Sequence, residues 1–182
     1  EFRAFVEGRD AWGATVVLDS EGGSTLGSMI LGDLIRSLNM ATTVGRTIES
    51  PGEDGRATRT ALSPHADCES MCAFVLLAGV RRHVPPEGSV RVHGIWFGDR
   101  RHNARAASYS ADDLAVLQHD VGLLAQYTVR MGASIDLLET AADAVLGAAL
   151  DRDRAQALIL EHEQIRLELA ARHRRQIGLH AA

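Results

Sequence analysis

The chain has 182 residues, a formal net charge of −5 and 46% hydrophobic residues, which suits one folded domain with a buried core and excludes a disordered chain. Aromatics are only 4% and all 19 cationic residues are arginine. The core therefore rests on Ala, Val, Leu and Ile, and a Ser–Lys dyad, a Schiff-base lysine and a phosphate loop ending in Gly-Lys are ruled out. The acidic balance argues against a nucleic-acid partner, and no apolar run of about 18 residues is present to span a membrane.

Ala14-Thr15-Val16-Val17-Leu18 is a short apolar, β-branched run and reads as a buried strand. The turn-rich segment Asp19-Ser20-Glu21-Gly22-Gly23-Ser24 follows. Leu26, Ile30, Leu34 and Leu38 then recur at helical spacing, with Ser24 or Thr25 as N-cap. Ala41 to Thr47 reads as a second strand and residues 49–66 as a loop, because Pro51-Gly52-Glu53-Asp54-Gly55 is turn chemistry. Met71 to Ala78 is almost wholly apolar, and periodicity alone leaves helix and strand both open. Pro85-Pro86-Glu87-Gly88 is a turn, and Val90-Arg91-Val92-His93 a short strand ending at a histidine. From Ser110 the pattern is helical: Leu114, Leu117, Val121, Leu124 and Thr128 share a face, Ser110 with Asp113 gives a capping signal, and Gly132 stops the helix. Further helices are expected over 135–150 and 152–176. Strands alternating with helices in the first ninety residues predict βαβ units with right-handed crossovers.

Three features converge on chemistry. Gly22-Gly23 lies between a strand and a helix, where glycines serve an ordinary turn or let backbone N–H groups face a ligand. Ser70, in Cys68-Glu69-Ser70-Met71-Cys72-Ala73, opens an apolar segment, as an N-cap or as a nucleophile beside free N–H groups. His93 ends the later strand, as a structural residue or as the general base for Ser70. The set His65, Cys68 and Cys72, with His83 or His93, lacks the paired spacing of a structural zinc site, so neither a metal nor another cofactor is expected. Cys68 and Cys72 remain open to two readings: small buried apolar residues, or a local disulfide flanking Ser70. Arg81-Arg82 and Arg100-Arg101 read as solvated ends of elements. Trp96-Phe97 is open to lining a cleft or packing on the core.

The segments Leu18 to Ser24, Cys68 to Ala73 and Arg91-Val92-His93 resemble, in order and spacing, those of the Clp protease proteolytic subunit. More narrowly, with Ala78-Gly79-Val80-Arg81-Arg82 and His93 to Arg101, the chain is similar to exported or periplasmic Clp-protease-like proteins of proteobacteria. The resemblance covers roughly residues 14–140. It implies an α/β fold of Clp/crotonase type, a spiral of βαβ units with a helical C-terminal part, over residues 1–150; where the exported relatives carry a further segment, the Ala-, Arg- and Glu-rich residues 151–182 of this chain read as a helical tail. It assigns Ser70 as nucleophile, His93 as general base, and the N–H groups of Gly23 and Met71 as the oxyanion hole. The function implied is a serine hydrolase or peptidase acting on a peptide or other acyl substrate. The alternative is a catalytically inactive oligomer of the same fold.

The family's third residue, an aspartate, falls on Ala141, with Asp143 two residues beyond and Asp136 five before. The expectation is therefore a Ser-His dyad, with Asp143 the best candidate for a third member. The resemblance also implies a homo-oligomer and a periplasmic or otherwise exported location, with a signal peptide preceding Glu1 in the gene product. In the tail, Ala155, Leu158, Ile159, Ile165 and Leu169 fall near one face. A helix of that kind needs a partner surface, expected on another subunit.

Overall fold

Residues 15–18 and 41–44, the two β-branched runs of the first half, form the parallel pair on which the rest is built. The structure is a computed structural model and describes residues 1–51, 58–95, 97, 108–143 and 148–149. The elements are α1 (Phe2–Val6), β1 (Thr15–Leu18), α2 (Thr25–Ser37), β2 (Ala41–Val44), β3 (Arg46–Pro51), β4 (Thr58–Ser63), β5 (Asp67–Glu69), α3 (Met71–Leu76), β6 (Arg82–His83), β7 (Ser89–Val92), α4 (Ala111–Arg130), α5 (Asp136–Asp143) and β8 (Ala148–Ala149). The protein is thus a mixed α/β chain. Among the described residues no helix is long and apolar enough to cross a membrane.

β2 lies between β1 and β6, parallel to both. β7 lies between β5, parallel, and β8, antiparallel. The two sheets meet through one parallel bridge, Ser20 with Cys68. There Ser20 N–H donates to the Asp67 carbonyl (2.8 Å) and Glu69 N–H to the Ser20 carbonyl (2.9 Å). The chain leaving β1 therefore crosses from β2 to β5, and the glycines that follow are delivered to the end of β5.

α3 is the centre of the core. All six of its residues are buried, and of the apolar run Met71 to Ala78 the helix takes Met71–Leu76. Its last carbonyls, which a helix end leaves without partners, are met by side chains. Tyr127 Oη donates to the Phe74 carbonyl (3.0 Å) and Thr42 Oγ1 to that of Leu76 (2.7 Å). The half-buried Arg36 donates to Leu77 (2.9 Å), Ala78 (2.7 Å), Gly79 (3.2 Å) and the Met131 carbonyl closing α4 (3.0 Å). A cation on helix C-termini is also favoured by the helix dipole.

Several elements depart from the sequence expectations. Residues 49–66 are not simply a loop: β3 and β4 pair antiparallel from Arg46–Ser63 to Pro51–Thr58. The described side chains of this hairpin are mostly exposed, so it carries no inside/outside alternation to read. The second strand stops at Val44. α2 buries Met29, Gly32 and Ile35, while Leu26 and Ile30 are 60% and 55% exposed. The reason is Gly32, against which the Tyr127 hydroxyl packs so closely that a methyl there would sit 1.8 Å from Oη. In α4 only Leu124, Tyr127 and Thr128 are buried; Leu114 and Val121 are exposed. The capping box of Ser110 and Asp113 forms as expected, and α4 ends before Gly132. The helix expected over 135–150 ends at Asp143, and Ala148-Ala149 pairs with β7 instead, the ladder outweighing alanine's helix propensity. Arg82 is not a solvated end, since it donates to the Gly79 and Met131 carbonyls. Trp96, Arg100-Arg101, the boundary at residue 150 and the helix expected over 152–176 lie outside the described residues.

Candidate functional site

Ser70 stands between β5 and α3, with φ 55° and ψ −124°. A residue bearing a Cβ is held in such a conformation at a cost of about 1–3 kcal/mol, and only where its surroundings over-determine it. The surroundings here are specific. Ser70 N–H donates to the Arg91 carbonyl of β7 (2.8 Å), and the Ser70 carbonyl accepts from Ala73 N–H (3.1 Å). The Ser70 side chain makes no capping hydrogen bond to α3 and has no partner among the described residues. The N-cap reading of this serine is therefore not what the structure shows. The half-buried Ser70 is left at the head of a strand–serine–helix turn, between β5 and α3.

Gly22 is packed against that turn. A methyl built on it would lie 2.6 Å from Ser70 Cβ, 2.9 Å from the Glu69 carbonyl oxygen and 3.0 Å from Met71 N. Its φ of 101° also favours glycine. Gly23, the next residue, is exposed and would have nothing within 4 Å of an added methyl. Neither Gly23 N–H nor Met71 N–H donates to another described residue. The Ser20–Cys68 bridge thus brings Gly22 against the Ser70–Met71 turn, and Gly23 is the next residue along that segment.

Asp19 fixes the approach of this glycine loop. It accepts from Arg46 Nε (2.6 Å) on β3 and from Asp67 N–H (3.2 Å) at the start of β5. The Arg46 hydrogen bond first, and the Asp67 N–H second, hold its carboxyl below the ordinary value of 3.8. Ser24 caps α2 through Gly27 N–H (3.2 Å), closing the loop on its far side.

His93 follows β7 directly. The parallel register pairs Glu69 with Arg91, so Ser70 and His93 emerge at the same end of neighbouring strands. The structure brings them to one edge without a hydrogen bond between their side chains. Catalytic hydrogen bonds are often loose before substrate binds. His93 Nδ1 is 2.8 Å from the Gly94 carbonyl oxygen. A carbonyl only accepts, so in this contact Nδ1 is the donor.

α5 runs beside this edge: a methyl on Gly94 would lie 3.7 Å from the Ala141 carbonyl oxygen. Ala141, where the resemblance puts the third residue, is therefore next to the His93–Gly94 segment but brings no carboxylate. Asp136 begins α5 and is exposed. Asp143 ends it, and its side chain lies outside the described residues.

Cys68 and Cys72 are joined as a disulfide with Cα atoms 5.2 Å apart. Of the two open readings this is the one the structure takes, and it leaves no thiolates for the His65–Cys68–Cys72 metal set. Phe97 is half-buried and stacks on Tyr109 with ring centroids 6.3 Å apart. Sequence reasoning missed Asp19, Arg36 and Tyr127, whose roles depend on partners from 27 to 95 residues away. Compared with models of known protein families and with curated proteins, the chain matches none.

Proposed function

We propose that this chain is a serine hydrolase of the Clp-protease-like type, acting by acyl transfer on a peptide or other acyl substrate. The observation that carries the reading is Ser70: a strained, uncapped serine between β5 and α3, with Gly22 pressed on its turn and His93 at the same strand edge. Ser70 Oγ attacks the acyl carbon as His93 Nε2 takes its proton. The Gly23 and Met71 N–H groups hold the oxyanion, and the imidazolium then protonates the leaving group. The Gly94 carbonyl fixes the ring tautomer, the orienting part of a third residue's work. Unlike a carboxylate it adds no full negative charge to stabilise the imidazolium, so slow turnover is expected. The fold reading that goes with this is a Clp/crotonase spiral, supported by the parallel pairs β1–β2 and β5–β7.

An exported, periplasmic location belongs to the same proposal, supported by the disulfide, which persists in oxidising compartments. A homo-oligomer also belongs to it, supported by the exposed Leu26 and Ile30 of α2. Light scattering of the Leu26→Glu/Ile30→Glu variant should show a smaller species than wild type. The inactive-oligomer reading is favoured by one observation, the alanine at position 141. Turnover of a set of p-nitrophenyl esters and fluorogenic peptides by wild type and Ser70→Ala protein decides between them. Serine-dependent hydrolysis supports the hydrolase. Equal rates for both proteins, at every substrate, support the inactive form.

A further inference from the structure

We infer that the Cys68–Cys72 disulfide is a positioning element for Ser70, holding the strand–serine–helix turn in the geometry that presents Oγ. The inference rests on the reading of Ser70 as a nucleophile. The bond joins the middle residue of β5 to the second residue of α3 and so spans Ser70 from both sides. Both cysteines are buried, at 0% and 4% exposure.

The two ends of α3 are held differently. At its C-terminal end Tyr127, Thr42 and Arg36 donate to the carbonyls of Phe74, Leu76 and Leu77. At its N-terminal end the Ser70 side chain supplies no cap. β5 has three residues and α3 six, so neither is stable by itself. The covalent tether is what keeps Ser70 from relaxing out of its positive φ. Because it closes a loop of only a few residues, its effect on global stability is small beside that of a long-range disulfide. Its action is local, on the turn it encloses.

The test compares wild type with Cys68→Ala/Cys72→Ala and with Cys68→Val/Cys72→Ala, which refills part of the volume. A fluorophosphonate probe gives the labelling rate at saturation and the half-saturating concentration. Amide hydrogen exchange at Met71–Ala73 is followed separately. The expected result is a saturating labelling rate lower by about tenfold or more with the half-saturating concentration unchanged. Exchange at Met71–Ala73 should be faster, and that at Ala41–Val44 unaltered. A variant that labels within twofold of wild type, with unaltered exchange at Met71–Ala73, overturns the inference. If wild type itself takes no label, the nucleophile reading fails separately. Exchange then decides: faster exchange confined to Met71–Ala73 upholds the tether as the element that holds this turn, and no change overturns it.

Discussion

Gly22→Ala is the substitution to which the site geometry is most sensitive. The added methyl would meet Ser70 Cβ at 2.6 Å, the Glu69 carbonyl oxygen at 2.9 Å and Met71 N at 3.0 Å. Two of those atoms are backbone and cannot step aside by changing rotamer. Overpacking of this kind costs about 1–3 kcal/mol. The backbone at φ 101° adds about 1–3 kcal/mol for any residue with a Cβ. The expected loss is therefore about 2–6 kcal/mol, a large part of the roughly 5–15 kcal/mol that holds a domain folded. At about 2–4 °C per kcal/mol for a chain of this length, Tm should fall by roughly 10 °C. If the loop yields instead, Gly22 moves off the Ser70–Met71 turn, and fluorophosphonate labelling slows while less stability is lost. Gly23→Ala is the control for stability alone, since its methyl meets nothing within 4 Å and carries only the backbone penalty. Urea unfolding and labelling rates on all three proteins make the measurement. A Gly22→Ala protein within about 1 kcal/mol of wild type, labelling at the wild-type rate, would refute the reasoning.

Gly32→Ala places a methyl 1.8 Å from Tyr127 Oη and should cost about 3 kcal/mol or more by urea unfolding. Tyr127→Phe in the same chain removes that oxygen, so the double variant should lose less than the sum of the singles, and strict additivity would contradict the packing. Ser70→Gly relieves a strained φ of 55° and should raise stability by about 1 kcal/mol, net of glycine's greater unfolded-state freedom. An unchanged or lower Tm would mean that the turn is unstrained. For Asp19 the folded-state carboxyl is held below its ordinary 3.8. Its contribution is therefore present above that pH and disappears as pH falls through the lowered value. Asp19→Asn should be less stable than wild type at pH 7, and the two should converge as acid protonates the carboxylate in the folded state; parallel curves would contradict this.

What could be read from the sequence was local. Ser24 and Ser110 are legible as caps because a cap is a contact between residues three apart, visible in Ser24–Gly27 and Ser110–Asp113. β1 and β2 were visible as β-branched runs. Ser70, Gly23 and His93 could be named from an ordered resemblance, but their juxtaposition depends on Ser20 bridging Cys68 and on the register of β5 with β7. The helical spacing of Leu26, Ile30, Leu34 and Leu38 marks α2 as a helix, and Leu34 and Leu38 pack on the core, but its closest contact is made at Gly32, a residue with no hydrophobic signal. The hairpin of β3 and β4 was hidden by its own turn residues and by its mostly exposed side chains. Arg36 was not legible at all: nothing near it in sequence shows that it closes two helices.

The most direct test of the account is intact-mass and peptide mapping of the protein after treatment with a fluorophosphonate. The account predicts one adduct per chain, on Ser70, absent from Ser70→Ala and formed about a hundredfold more slowly by His93→Ala. A wild-type chain that takes no adduct, or an adduct that survives the Ser70→Ala substitution undiminished, would contradict it.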